Sequence, residues 1–139
     1  MNRTGLARQA LSRIHFEMEA ARTKLCEQVQ REVYGLTPHM NDMFDGELPT
    51  GIVSGRRIHL FPLGDFRDVR VGPLSGQSTL YLGGNGRLYE YGPVDTVSDT
   101  PVDRLQKHQL VIRLQLVDVT RLAYHELMIV RDLIRQIGI

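Results

Sequence analysis

Apolar residues recur every three or four positions through the first quarter of the chain, which predicts one long amphipathic helix over residues 4–34. Thr4 can cap the start of this helix, and Gly35 is expected to end it because glycine favours the helix C-terminus. The opposite side of the helix is polar and includes Arg8, Glu19 and Arg31. The apolar face consists of Leu11, Ile14, Met18, Ala21, Leu25, Val29 and Val33.

The predicted first helix is long for the chain that carries it. About 30 residues at 1.5 Å each give a rod of roughly 45 Å. A compact domain of 139 residues is only about 30 Å across by the usual size scaling. Two alternatives follow. Either the helix breaks, or part of it projects and packs on another chain or on a distant part of the sheet. In the second case the contact residues are Leu11, Ile14, Met18 and Leu25.

Turn-forming residues dominate positions 36–56, and short alternating segments follow. Residues 57–61 alternate until Pro62, which is expected to end that strand, and residues 66–71 alternate again. Two further segments, 79–82 and 87–91, flank a glycine-rich turn at Asn85-Gly86, which is a strong hairpin signal. A turn of two or four residues would place Leu80, Leu82, Tyr89 and Tyr91 together on one buried face.

The last third of the chain predicts a loop, a strand and a helix. Residues 92–103 read as a polar loop, and 110–117 alternate in a pattern that favours a strand, although a helix beginning near Asp103 competes. Residues 119–137 form the second clear helix. The order of elements predicts an α+β domain with a long N-terminal helix, an antiparallel sheet of about four to five strands and a C-terminal helix.

The C-terminal helix has a wider apolar face than packing on a sheet requires. Leu122, Leu127, Val130 and Ile134 lie on the expected inner side. The surplus consists of Tyr124, Met128 and Ile129, which we expect to touch either the first helix or a partner.

Composition and charge narrow the functional classes. The net charge is +1, from 17 basic and 16 acidic residues, so nothing favours binding to nucleic acid or to an anionic membrane. Fifteen of the basic residues are arginine. Arginine is favoured at protein interfaces, but a genome-level codon bias is the simpler explanation of this excess. Cys26 is the only cysteine, which excludes an intrachain disulfide and fits a cytoplasmic or other intracellular location.

Candidate chemistry is sparse. The glycine-rich turn leads into a strand rather than a helix, unlike a phosphate-binding loop. His125-Glu126 begins like a zinc-protease helix, but Ile129 stands where the second histidine would be. We therefore predict no catalytic residue, no cofactor and no metal ligand. An enzyme would remain possible only if scattered residues such as His59, Asp68 and Tyr89 met in one pocket.

A stretch near the middle of the chain resembles the SUKH superfamily. The resemblance spans residues 33–105 and rests on Gly35-Leu36-Thr37-Pro38, on 42–47, on 60–64 and on the 80–89 hairpin. It departs from the family at Thr37, which separates the usual Leu-Pro pair. The family is α+β and non-enzymatic and includes bacterial immunity proteins and viral relatives that bind host factors. The resemblance therefore implies a protein-binding role.

Taken together, these features predict a single domain, residues 1–139, with a helix to 35, strands and loops over 36–117, and a helix over 118–139. The expected function is non-enzymatic protein binding, including an inhibitor or immunity-like role, with a protein partner or self-association and with no nucleic acid or membrane. Two alternatives remain open: a structural subunit of a viral particle, a phage particle or another oligomeric assembly, and a small enzyme.

Overall fold

The computed structural model describes residues 3–43, 49–71, 74–96 and 109–138. In chain order these form a helix, α1 (Arg3–Met43), five strands, β1 (Thr50–Val53), β2 (Arg56–Val71), β3 (Leu74–Gly83), β4 (Leu88–Thr96) and β5 (Gln109–Leu116), and a helix, α2 (Tyr124–Gly138). The strands make one antiparallel sheet in the order β1-β2-β3-β4-β5. The predicted α+β class is confirmed. Part of the 42–47 motif and most of the predicted 92–103 loop lie outside the described residues.

The first helix is longer than predicted and does not break. α1 continues through Gly35 and Pro38 to Met43, a length of 41 residues or about 60 Å. The prediction that Gly35 ends the helix is therefore wrong. Leu36 and Met40 are buried in the core, so tertiary packing outweighs the local preference for a stop. Pro38 has no N–H to donate to the Tyr34 carbonyl, while the Thr37 hydroxyl donates to the Val33 carbonyl at 2.7 Å.

The hydrophobic core lies between one face of the sheet and the two helices. The C-terminal half of α1 and the inner side of α2 pack against each other and against this face. The buried side of α2 is the one that its apolar spacing predicts. The core side chains that the helices supply are Leu25, Cys26, Val29, Val33, Leu36, Met40, Leu127, Val130 and Ile134.

The first two strands differ from the prediction. No strand was predicted before residue 57. In the structure, β1 forms a hairpin with β2 through a turn at Ser54 and Gly55. Both residues have positive φ angles, as this type of two-residue turn requires. Pro62 does not end a strand, because β2 runs through it as one element of 16 residues. The register shifts between Pro62 and Gly64, and proline is tolerated in a strand beside such a bulge.

The central hairpin closes through a three-residue loop, 84–86, and this changes which side chains share a face. The Gly83 N–H donates to the Arg87 carbonyl, and the Gly86 N–H donates to the Gly83 carbonyl. A one-residue change of register moves every side chain to the other face. Leu82 therefore lies opposite Leu88, and Leu80 lies opposite Glu90. The predicted grouping of Leu80 and Leu82 with Tyr89 and Tyr91 is wrong.

The second face of the sheet carries Tyr89, which is buried, and several side chains that are not. The strand β1 closes part of this face, since a Cβ on Gly51 would lie 2.9 Å from the side chains of both Leu60 and Leu114. Tyr91, Ile112 and Leu116 on the same face are exposed.

The C-terminal helix begins later than predicted. Val119–Arg121 form a separate 3-10 turn, capped by the Asp118 carboxylate, which accepts from the Thr120 N–H. The strand over 109–116 confirms the strand interpretation of that segment, and β4 extends to Thr96, so residues 92–96 are not a loop. In the described part of the chain, no helix is both long enough and apolar enough to cross a membrane.

Candidate interaction surface

The N-terminal part of α1 extends beyond the rest of the protein. Every side chain from Leu6 to Ala21 is exposed, which corresponds to about 25 Å of helix without cover from the sheet or from α2. We call residues 6–21 the projecting segment. Large apolar side chains on it are open to solvent, and they are Leu6, Leu11, Ile14, Phe16 and Met18.

Arg22 marks the point where α1 leaves the domain. One of its terminal nitrogens donates to the carbonyls of Thr120 and Leu122, at 3.0 and 3.1 Å, and so joins α1 to the segment before α2. The other side of the same guanidinium binds the Glu19 carboxylate at 3.0 Å. One turn further on, the buried Cys26 thiol contacts the Val119 carbonyl. Burial raises the pKa of this thiol, although the charge of Arg22 opposes the shift.

The predicted interface residues of α1 lie on both sides of Arg22, some in the projecting segment and one in the core. Leu11, Ile14 and Met18 are exposed, with 66%, 53% and 66% of their surface accessible. Leu25, the fourth of them, belongs to the intramolecular core. It lies at the junction of two apolar stripes, one exposed and one buried, that follow each other along the same helix.

The surplus apolar residues of α2 also divide. Met128 and Ile129 are half-buried and pack against the core of their own chain. Tyr124, at the first position of α2, is 47% exposed. The apolar surface that α2 leaves open is therefore much smaller than that of the projecting segment.

A network of charged side chains lies between the sheet and the start of α2. The Arg67 guanidinium forms two hydrogen bonds with the Glu90 carboxylate, at 2.7 and 2.8 Å, and a third with the Glu126 carboxylate. The buried Ser78 hydroxyl donates to Glu90 at 2.6 Å. Glu126 also accepts from the Ala123 N–H at 2.9 Å, so it caps α2 while it holds Arg67.

These contacts keep the network ionised. Burial opposes the charge of Glu126, but hydrogen bonds from Ala123 and Arg67 outweigh it and hold the pKa of the carboxyl below its ordinary value. The hydrogen bonds to Glu90, followed by those to Glu126, raise the pKa of Arg67 in spite of its partial burial. Ser78 is fully buried, and its hydroxyl already donates to a carboxylate. A substrate therefore cannot reach this hydroxyl. The arrangement suits a structural link better than a catalytic one.

A cleft of about 720 Å³ lies between α1, the 84–86 loop and the end of β5. Its walls combine apolar side chains with polar ones such as Gln30, Asn85 and Asp118. Tyr34 stands at its edge with 83% of its surface exposed. The charged side chains that line the cleft are those of Arg87 and Asp118, among the residues that the structure describes.

His59, Asp68 and Tyr89, which would have indicated an enzyme if they lined one pocket, do not come together. His59 pairs with Thr50 at one end of β2, and Asp68 pairs with Gln77 nine residues further along the same strand. Tyr89 is buried, and its hydroxyl accepts from the Asn85 side chain at 2.8 Å. Within the described ranges, no three histidine, cysteine or acidic side chains are grouped closely enough to hold a metal ion.

The charged network and part of the exposed surface were not predicted from the sequence. Glu90 was expected on the outer face, because the hairpin loop was assigned two or four residues instead of three. Phe16 lies off the apolar stripe of α1, so periodicity gave no reason to select it, and Tyr34 stands just before the expected end of the helix. The available signal was Gly86, because the last residue of a three-residue hairpin loop adopts a positive φ angle.

Three comparisons bear on identity: no family model matches the chain, and no curated protein or solved structure does.

Proposed function

We propose that this chain is a non-enzymatic protein-binding domain and that the projecting segment of α1 is its interface. The single observation that carries the proposal is the exposure of residues 6–21 together with their apolar side chains. An isolated helix of this length is marginal in water unless something packs on it. An exposed apolar stripe such as Leu11, Ile14 and Met18 is a feature that marks interaction sites on soluble proteins.

The rest of the described surface offers less support for other functions. The most buried polar side chains, Ser78 and Glu90, are satisfied within the network around Arg67. The resemblance to the SUKH superfamily, and with it an inhibitor or immunity-like role, stays a prediction. So do the intracellular location and the lack of nucleic-acid binding.

A structural subunit of a larger assembly, including a viral or phage particle, is the second candidate. The observation that favours it is the length of α1, since a helix of about 60 Å reaches well beyond a domain of this size. Such a helix suits a subunit that bridges neighbours. Both candidates use the same segment, and they differ in whether the partner is one molecule or a lattice of copies.

The test is a double substitution, Ile14→Asp with Met18→Asp, compared with Phe16→Asp. Both changes place acid at exposed positions of α1, but Phe16 lies on the side opposite Ile14 and Met18. We expect the double variant to lose its protein partners in cells that make the protein natively, and Phe16→Asp to retain them. The melting temperature should change little in either variant, because neither touches the core. Equal partner recovery from the double variant and the wild type would contradict the proposal.

A further inference from the structure

We infer that the partner of the projecting segment is a second copy of this chain, bound as an antiparallel pair of α1 helices. This inference rests on the proposed function and names its partner. Three features of α1 support it: the spacing of the exposed apolar residues, the distribution of charge along the segment and the point at which the helix leaves the domain.

The spacing indicates that the partner is a helix. The exposed stripe consists of Ala7, Leu11, Ile14, Met18 and Ala21 and leads to Leu25, with gaps of four, three, four, three and four residues. A repeat of 3.5 residues keeps one stripe facing a second helix through a left-handed coiled coil. The stripe also occupies only two positions in every seven, which is narrower than the face that a helix uses against a sheet.

The charges favour an antiparallel second copy. The first half of the projecting segment carries Arg8 and Arg13 and no acid, whereas the second half carries Glu17 and Glu19 and no lysine or arginine. All four side chains are exposed, and Glu19 also pairs with Arg22 of its own chain. Antiparallel overlap places each basic half beside the acidic half of the other copy, and parallel overlap places like charges side by side. The charges of the segment are therefore complementary to those of a second copy that runs in the opposite direction.

The geometry of the domain agrees with this orientation. α1 contributes side chains to the core from Leu25 onward, so the exposed residues 6–21 are the length available for pairing. An antiparallel overlap centred between Ser12 and Arg13 places Leu11 opposite Ile14 of the partner subunit and Ala7 opposite Met18 of the partner subunit. The two globular parts then lie at opposite ends of the pair. A parallel overlap would bring both to the same end, beside each other.

The overlap is short, about 25 Å, and so we expect a dimer that dissociates in the micromolar range rather than an obligate one. Sedimentation equilibrium of the full chain over nanomolar to high micromolar concentrations should show the mass rising from 15.8 kDa to twice that value. The double variant Ile14→Asp/Met18→Asp should remain at the monomer mass, and Phe16→Asp should behave like the wild type. A wild-type chain that stays monomeric throughout would overturn the inference.

Orientation is tested with spin labels at Gln9 and Thr23, both exposed and both on the side of α1 away from the stripe, with Cys26 replaced by alanine. In the antiparallel pair the two Thr23 labels lie about 20 Å further apart along the axis than the two Gln9 labels. Equal distances for the two positions would show a parallel pair and overturn the inference.

A photo-cross-linking residue at position 14 is introduced in cells that make the protein natively. The mass of its adduct distinguishes binding to a second copy from binding to a different protein. An adduct of twice the chain mass supports a second copy. An adduct of any other mass overturns the inference but leaves protein binding by this segment intact. The lack of any adduct at position 14, with position 16 as the matched control, contradicts both.

Discussion

At the scale of single residues, the best-connected side chain is Arg67, which joins strand β2 to Glu90 on β4 and to Glu126 at the start of α2. The Glu90 side chain is only 8% exposed, and a buried carboxylate that loses its cation is costly. The value of this network to the fold is therefore best measured by removing the arginine rather than either acid.

We expect Arg67→Met to lower the free energy of unfolding by about 3 kcal/mol, the low end for a broken buried pair, because one edge of Arg67 reaches solvent. Urea denaturation monitored by circular dichroism measures the change. Arg70→Met is the matched control on the same strand, where the side chain is exposed, and it should shift stability by less than about 0.5 kcal/mol. Similar effects from the two variants would show that the network contributes little.

The lowered pKa of Glu126 gives the network a dependence on pH. Because the native pKa lies below the ordinary value of 4.5, the native state binds fewer protons than the unfolded state there, and its stability falls as the pH drops below 4.5 and through the lower native pKa. Glu126→Gln should cost about 1–2 kcal/mol at neutral pH and should flatten this decline. Denaturation curves at several pH values measure both effects. An unchanged slope in the variant would place the pH sensitivity elsewhere.

At the scale of elements, the 84–86 loop decides which face each residue of β3 and β4 occupies. Gly86 has a φ of +83°, a conformation that side chains with a Cβ adopt at a cost. A Cβ there would meet only Thr37, at 3.5 Å, so backbone conformation rather than crowding limits this position.

Gly86→Val should therefore destabilise the protein by about 1–3 kcal/mol, measured as a fall in the melting temperature.

Gly35→Ala tests the opposite case, since Gly35 lies inside α1 with no neighbour within 4 Å of an added Cβ. It should stabilise the protein by about 0.5–1 kcal/mol, because alanine favours a helix interior. A loss of stability at position 35 would show that the helix does not continue there as described.

At the scale of the whole molecule, α1 divides into a buried length and the projecting segment. The two lengths should differ in hydrogen exchange, because local stability follows the number of buried contacts. In dilute solution we expect the amides of residues 6–21 to exchange fastest in the helix, and those of 25–36 to exchange slowest.

Raising the protein concentration should slow exchange in residues 6–21 of the wild type and leave the Ile14→Asp/Met18→Asp variant unchanged. Exchange followed by mass spectrometry at two concentrations measures this. Protection of the segment that does not depend on concentration would argue against self-association.

Periodicity was sufficient to predict the helices, the antiparallel sheet and the buried side of α2, because burial selects apolar residues at the period of each element. It was insufficient where a local preference met a tertiary demand, as at Gly35, Pro38 and Pro62. The site was predictable to the extent that Leu11, Ile14 and Met18 stand out by spacing. The division at Leu25 was not, since nothing in the sequence marks where α1 leaves the sheet.

The unbroken passage of α1 from the core into solvent also fixes a rotational phase. Each residue of a helix turns the next by about 100°, so the direction in which Ile14 and Met18 point is set by the number of residues between them and Leu25. One residue inserted after Arg22 would turn the whole stripe about a quarter of the way around the axis, with every side chain intact. An insertion of seven would nearly restore its direction and only lengthen the arm. The number of residues between the core and the stripe therefore fixes the direction in which the stripe faces. We expect natural insertions or deletions at this point to be seven residues long rather than one.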